Sequence, residues 1–107
     1  MKGACLKIYM TEEQKHDGKL LVEWLLEQAK RMGIPGASIF RAIEGYGRHG
    51  VVHAETFFEL AGKLPVELEI VAAEEHIERL LDLIRAEGLK QFYVRFPVEF
   101  GTLNGSR

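Results

Sequence analysis

The chain has 107 residues, 47% hydrophobic and 28% charged, with three prolines, one cysteine and a net charge of -2. That length fits one domain, set here at residues 1–107, and the composition suits a chain with one packed core, which excludes an extended disordered protein. Also excluded are a global basic field for nucleic acid or an anionic membrane, and an apolar run near the ~20 residues of a membrane span.

The first residues, Met1-Lys2-Gly3-Ala4-Cys5, carry no signal-peptide pattern, and a lone cysteine suits a reducing compartment, so the cytoplasm is expected. Leu6-Lys7-Ile8-Tyr9-Met10 alternates, with Ala4, Leu6, Ile8 and Met10 on one side and Cys5, Lys7 and Tyr9 on the other. That period of two predicts a strand with one buried face. The polar stretch 11–18 follows, and Asp17 is placed to cap a helix over about 19–32. Leu21, Leu25, Gln28 and Met32 share one stripe, while Val22, Leu25, Leu26 and Ala29 widen the apolar face. Glu27 can reach Arg31, and Gly33 suits a left-handed stop.

Ile34-Pro35-Gly36 turns the chain. The run 37–44 holds Ile39, Phe40, Ala42 and Ile43, but alternation fails at Arg41, which predicts an irregular strand with a bulge. Gly45-Tyr46-Gly47-Arg48-His49-Gly50 then stops regular structure, since three glycines in six residues permit backbone angles other residues avoid. Residues 51–63 form a long excursion with a helical turn at 56–61.

Val66-Glu67-Leu68-Glu69-Ile70-Val71 alternates as a strand, with Val66, Leu68 and Ile70 inward. A second helix over about 73–87 places Ile77, Leu80, Leu81 and Ile84 on one stripe, with Glu74 and Glu75 at its positive end and Gly88 closing it. The last strand has Phe92, Val94, Phe96 and Val98 on one face and Tyr93, Arg95 and Glu99 on the other, before a loose tail over 101–107.

The order β-α-β-β-α-β predicts an α+β, ferredoxin-like sandwich: a four-stranded antiparallel sheet with two helices on one face. The uncovered face is expected to carry Cys5, Lys7, Tyr9, Glu67, Glu69, Tyr93 and Arg95, with Lys7 and Arg95 pairing the two glutamates. Such a face suits either solvent or an oligomer interface.

Ile34-Pro35-Gly36 through Gly45-Tyr46-Gly47-Arg48, followed by Leu64-Pro65-Val66-Glu67-Leu68-Glu69-Ile70-Val71-Ala72, resembles the PII (GlnB-like) signalling proteins. Those have a G-F-G-R turn after strand two and a P-x-V-x-I-E-I-V-V run as strand three. Lys15-His16-Asp17-Gly18-Lys19 resembles the PII-like domain-of-unknown-function 190 family more closely, and the likeness runs to about Val98. It implies a homotrimer with the uncovered sheet faces turned inward and adenine-nucleotide binding in clefts between subunits. It also implies a T-loop-like segment over 47–64 that changes shape with the ligand and docks onto a target protein.

The chain departs from the PII pattern in three places. Its second strand is one residue longer. Its loop lacks the tyrosine that uridylylation needs, and the glutamine that helps bind 2-oxoglutarate has no clear equivalent. The phosphate loop between helix two and strand four is reduced to Ala86-Glu87-Gly88-Leu89-Lys90-Gln91, so any bound phosphates need other donors.

Gly45, Tyr46, Gly47, Arg48 and His49 are the candidate nucleotide residues, since a glycine-rich turn can aim N–H groups and a guanidinium at a phosphate; a plain turn is the alternative. Lys15 and Lys19, beside an expected helix N-terminus, are the candidates to replace the phosphate loop, against a solvated charged loop. Val51, His53, Phe57 and Phe58 are assigned to the partner-docking loop, where Phe57, Phe58 and Leu60 can equally pack beneath it. No nucleophile–base arrangement surrounds Thr11, Ser38 or Thr56, and nothing suggests an activated thiolate at Cys5, so an enzyme is not expected.

The leading expectation is a trimeric regulator with no required cofactor and an adenine nucleotide, AMP or ADP more readily than ATP, as regulatory ligand. Its partner is a target protein such as a transporter or membrane channel, with no nucleic acid and no membrane insertion. The alternatives are a CutA-like divalent-metal-binding trimer using His49 and His53, with Glu55 and His16 to complete the site, and a structural assembly factor with an empty cleft.

Overall fold

The computed structural model describes residues 1–46, 52–54 and 64–105, with 44–46 and 52–54 described by their backbone. In chain order the elements are β1 (Lys2–Thr11), β2 (Lys15–His16), β3 (Lys19–Leu20), α1 (Leu21–Arg31), β4 (Ser38–Arg41), β5 (Glu44–Tyr46), β6 (Val52–Ala54), β7 (Pro65–Ala72), α2 (Glu74–Ala86) and β8 (Tyr93–Glu99). The four-stranded sheet runs β4-β7-β1-β8, and every pairing in it is antiparallel. With two helices on one face, this is the ferredoxin-like α+β architecture expected from the element order.

Strand β1 is central because it pairs along most of its length with both β7 and β8. Its alternation sends Ala4, Leu6, Ile8 and Met10 into the core, where they meet Leu21, Trp24, Leu25 and Ala29 of α1 and Ile77, Leu80, Leu81 and Ile84 of α2. Val66, Leu68 and Ile70 of β7 complete that layer, and the core holds no buried polar or charged residue among those described. Both helices end alike. Gly33 and Gly88 take positive φ of 82° and 71° and donate to the carbonyls of Lys30 and Arg85, and the next amides, Ile34 and Leu89, reach back to Ala29 and Ile84. This double bond is the Schellman stop, and glycine is the residue that adopts its left-handed position without strain.

Four local expectations are corrected. Asp17 caps no helix: Asp17 and Gly18, at φ 52° and 78°, form the two-residue turn of a β2–β3 hairpin, and α1 starts at Leu21 instead of Lys19. Paired positive φ values make this a type I′ turn, for which Asp-Gly is a preferred sequence. The second strand does not bulge at Arg41. It keeps regular register with β7 to that residue and ends there. Regular structure does not stop at Gly45, because Gly45 and Tyr46 belong to β5, which pairs with β6.

The last strand is turned over relative to expectation. Paired residues share a sheet face, and Phe96 opposes Cys5, Val94 opposes Lys7, and Val98 opposes Gly3, so these side chains lie on the uncovered face. Tyr93 and Arg95 oppose Ile8 and Leu6 and lie on the helix side. Arg95 accordingly binds Glu74 and Glu78 of α2 instead of Glu67 and Glu69. The Lys7–Glu69 pair does form across strands, at 4.0 Å.

Gly3 lies where β1 passes close to β7: a Cβ there would sit 2.1 Å from the Ala72 carbonyl oxygen, which is backbone and cannot rotate away. Gly3→Ala should therefore lower the unfolding free energy by about 1–3 kcal/mol in denaturant titration, as other overpacking changes do. An unchanged midpoint would contradict this placement. The Arg95 hydrogen bond, then its charge, holds the Glu78 carboxyl below its ordinary value. Its stabilising contribution is thus present above the ordinary carboxylate pKa and is lost as pH falls through the lowered one. Glu78→Gln should melt below wild type at pH 7, with the gap closing under strong acid.

Candidate functional site

The end of the sheet where β1 stops gathers four separate stretches of chain. Arg41, at the end of β4, donates from Nε to Glu12 Oε2 at 2.9 Å and from Nη2 to Glu12 Oε1 at 3.4 Å. The Glu12 amide donates to the Leu64 carbonyl at 2.7 Å, and the Ala42 amide to the Pro65 carbonyl at 2.9 Å. These bonds tie the segment after β1 to both ends of the chain that leaves β4 and returns as β7.

The β2–β3 hairpin is anchored beside this junction at its base and its tip. At the base, the Leu21 amide donates to the Gln14 carbonyl at 2.7 Å, which satisfies the first helical N–H of α1 where no side chain caps it. Gln14 Nε2 donates to Gln91 Oε1 at 2.7 Å, and Gln91 Nε2 donates in turn to the Tyr9 carbonyl at 2.8 Å. At the tip, His16 Nε2 lies 2.8 Å from Glu87 Oε1, and its ring packs edge-on against Trp24 with centroids 4.6 Å apart. The Lys-His-Asp-Gly-Lys segment is therefore fastened to the connection between α2 and β8.

That connection offers a phosphate the exposed Lys90 but few backbone donors. The amides of Glu87, Gly88 and Leu89 are all used on carbonyls of the last turns of α2. The hairpin beside it adds two more lysines. Lys15 is exposed and makes no ion pair with a described residue. Lys19 Nζ donates to Glu27 Oε1 at 2.7 Å, and this hydrogen bond, then the lysine charge, lowers the Glu27 pKa. Both groups are well exposed and screened by solvent, so the pair is weak and Lys19 can exchange Glu27 for another anion.

Of the sequence-predicted residues, Lys15 and Lys19 lie on one hairpin but on opposite faces of it, Lys19 beside His16 and Lys15 beside Leu20. Gly45 and Tyr46 lie in β5, their backbone paired with His53 and Val52 of β6. Gly47, Arg48, His49, Val51, Glu55, Phe57 and Phe58 lie outside the described residues, as does the expected helical turn at 56–61. The metal pair His49 and His53 is thus not described at the level of side chains. Gln14, Trp24, Glu87 and Gln91 were not singled out by sequence. Trp24 was legible, since Leu21, Trp24, Leu25 and Gln28 keep helical spacing, whereas Glu87 lies 71 positions from the histidine it meets.

The uncovered sheet face has a polar centre and an aromatic edge. Lys7 Nζ sits 5.9 Å from the Phe96 ring centroid, and Tyr9 and Phe92 rings lie 5.6 Å apart. Burial first, then the hydrogen bond to Glu67 and its charge, raises the Tyr9 hydroxyl pKa. Burial, then Glu69, raises the Cys5 thiol, the reverse of what a reactive cysteine needs.

Among known proteins, a UPF0166 protein of Aquifex aeolicus (strain VF5) is 39% identical over 87 residues, covering 81% of this chain and 83% of its own. In structure, the chain is similar to CPII, a nitrogen regulatory PII-like protein from Thiomonas intermedia K12 bound to ADP, AMP and bicarbonate. The TM-score is 0.72 at 17% identity, over 97% of this chain and 92% of that one. CutA1 from Oryza sativa is similar at a TM-score of 0.56 and 18% identity, over 96% and 87% of the two chains. Both likenesses establish the shared fold. The sequence profile of the DUF190 family, described as Uncharacterized ACR, matches residues 3–99, and the chain belongs to that family with a PII-like fold.

Proposed function

We propose that the chain is a PII-like regulator, not an enzyme, acting in the cytoplasm as a homotrimer of one domain spanning residues 1–107. It binds AMP or ADP in clefts between subunits and signals to a target protein through the segment 47–64. Lys15, Lys19 and the Gly45–His49 stretch contact the nucleotide, and Val51, His53, Phe57 and Phe58 belong to the docking segment.

The observation that carries this reading is the fastening of the lysine hairpin against the α2–β8 connection by His16–Glu87 and Gln14–Gln91. The first amides of that connection are consumed by helix termination, and the hairpin fastened beside it carries Lys15 and Lys19. Lys15 is available, and Lys19 can leave Glu27 for a more highly charged phosphate. The nucleotides carried by the similarly folded CPII support the ligand class.

The trimer draws support from the uncovered face. Phe40, Phe92 and Phe96 are 52%, 71% and 40% exposed, and all three share that face with Lys7 and Glu69. Exposed aromatic residues at both edges of the sheet, flanking a paired polar centre, suit burial against further copies of the chain.

Isothermal titration should detect one AMP or ADP per chain, and Lys15→Ala should weaken binding about tenfold, or about 1.4 kcal/mol. No binding and no thermal stabilisation by any adenine nucleotide at millimolar concentration would sink the reading. Light scattering should return three times the 12.1 kDa chain mass, and Phe96→Asp should reduce it to one. A wild-type monomer would remove the intersubunit cleft on which the proposal depends.

A further inference from the structure

The tip of the β2–β3 hairpin gathers three metal-ligating side chains, none of which the nucleotide reading places against the ligand. His16 Nε2, Asp17 Oδ2 and Glu87 Oε1 all lie within 4.8 Å of one another, with the imidazole nitrogen 2.8 Å from Glu87 and 3.8 Å from Asp17. One imidazole nitrogen carries at most one hydrogen, so it can donate to only one of two carboxylates that converge on it. A cation between the three atoms satisfies both.

Three other features favour a cation at this point. Trp24 packs against the His16 ring and fixes its plane, leaving the histidine side chain only 15% exposed, whereas Asp17 and Glu87 are 67% and 34% exposed. The site is closed on the protein side and open to solvent. Glu87 is also the C-cap of the 13-residue α2, so the negative end of the helix dipole faces the same place. Finally, around a tetrahedral zinc with bonds of about 2.0–2.2 Å, ligand atoms stand roughly 3.3–3.6 Å apart, a spacing these exposed carboxylates reach by small rotations.

We propose that His16, Asp17 and Glu87 bind one divalent transition-metal ion, zinc fitting best, with the fourth position open to water or an anion. The imidazole argues against calcium and magnesium, which take oxygen ligands, and the absence of thiolate leaves a borderline site that zinc suits. The ion joins residues 71 positions apart and so staples the hairpin to the end of α2. It shares His16 with the alternative built on His49 and His53 but needs neither of those histidines.

The test is a zinc titration of the full chain against a chromophoric chelator. One zinc per chain should bind, and Asp17→Asn and Glu87→Gln should each weaken it at least tenfold. Asparagine tolerates the left-handed turn position and glutamine can still accept from His16, so both variants should melt at the wild-type temperature without zinc. A His49→Ala/His53→Ala double variant should bind zinc as wild type does. No zinc binding by the wild type, wild-type affinity in both carboxylate variants, or loss confined to the double variant would each overturn the proposal. AMP titration with chelator present keeps the outcome for nucleotide separate from the outcome for zinc.

Discussion

The structure rests on one geometric constraint: two helices can cover only one face of a four-stranded sheet. Strand β1 carries that constraint in its alternation, since every second side chain enters a wholly apolar core and the others face away from both helices. Fully burying a side chain such as Leu6 or Ile8 contributes about 1.5–3 kcal/mol, which fixes the register of β1 against its two neighbours. A one-residue slip would send Lys7 and Tyr9 among the helices. The uncovered face is then a necessary product of folding, and its exposed aromatic residues support the proposed assembly of several copies.

The same constraint gathers the candidate site. Because β7 and β8 run antiparallel to β1 and β4 runs antiparallel to β7, the end of β1 meets the starts of β7 and β8 and the end of β4. The described connections at that end are tied to one another: Arg41 onto Glu12, Gln14 onto Gln91, and His16 onto Glu87. The hairpin supplies positive charge beside a connection whose helix-ending glycine leaves few donors. The proposed nucleotide contact and the proposed metal ligation use different atoms of that hairpin, the lysine ammonium groups for one and the His16–Asp17 pair for the other.

Much of the fold was legible in the residue order because its periodic segments are strong. Val66, Leu68 and Ile70 read as one face, and Ile77, Leu80, Leu81 and Ile84 as one helical stripe, and both patterns appear in the core. Asp17 misled because aspartate favours helix caps and tight turns alike; the glycine beside it, free to take positive φ, decides for the turn. Strand β8 misled because hydrophobicity was taken to mean inward. Its facing is set by Arg95, which meets two glutamates on α2, a contact between elements that no local pattern encodes. The site was legible only in part: the two lysines carry a local motif, while Glu87 and Gln91 join it through the topology of the sheet.

The central claim is that a nucleotide sits between copies of this chain, held by the hairpin of one of its walls. A crystal structure of the chain grown with AMP tests it most directly. The account predicts phosphate density within hydrogen-bonding reach of Lys15 or Lys19 and next to the Gly45–Arg48 stretch, at a boundary between two chains. Nucleotide density on a surface of a single chain, away from the hairpin, would contradict it.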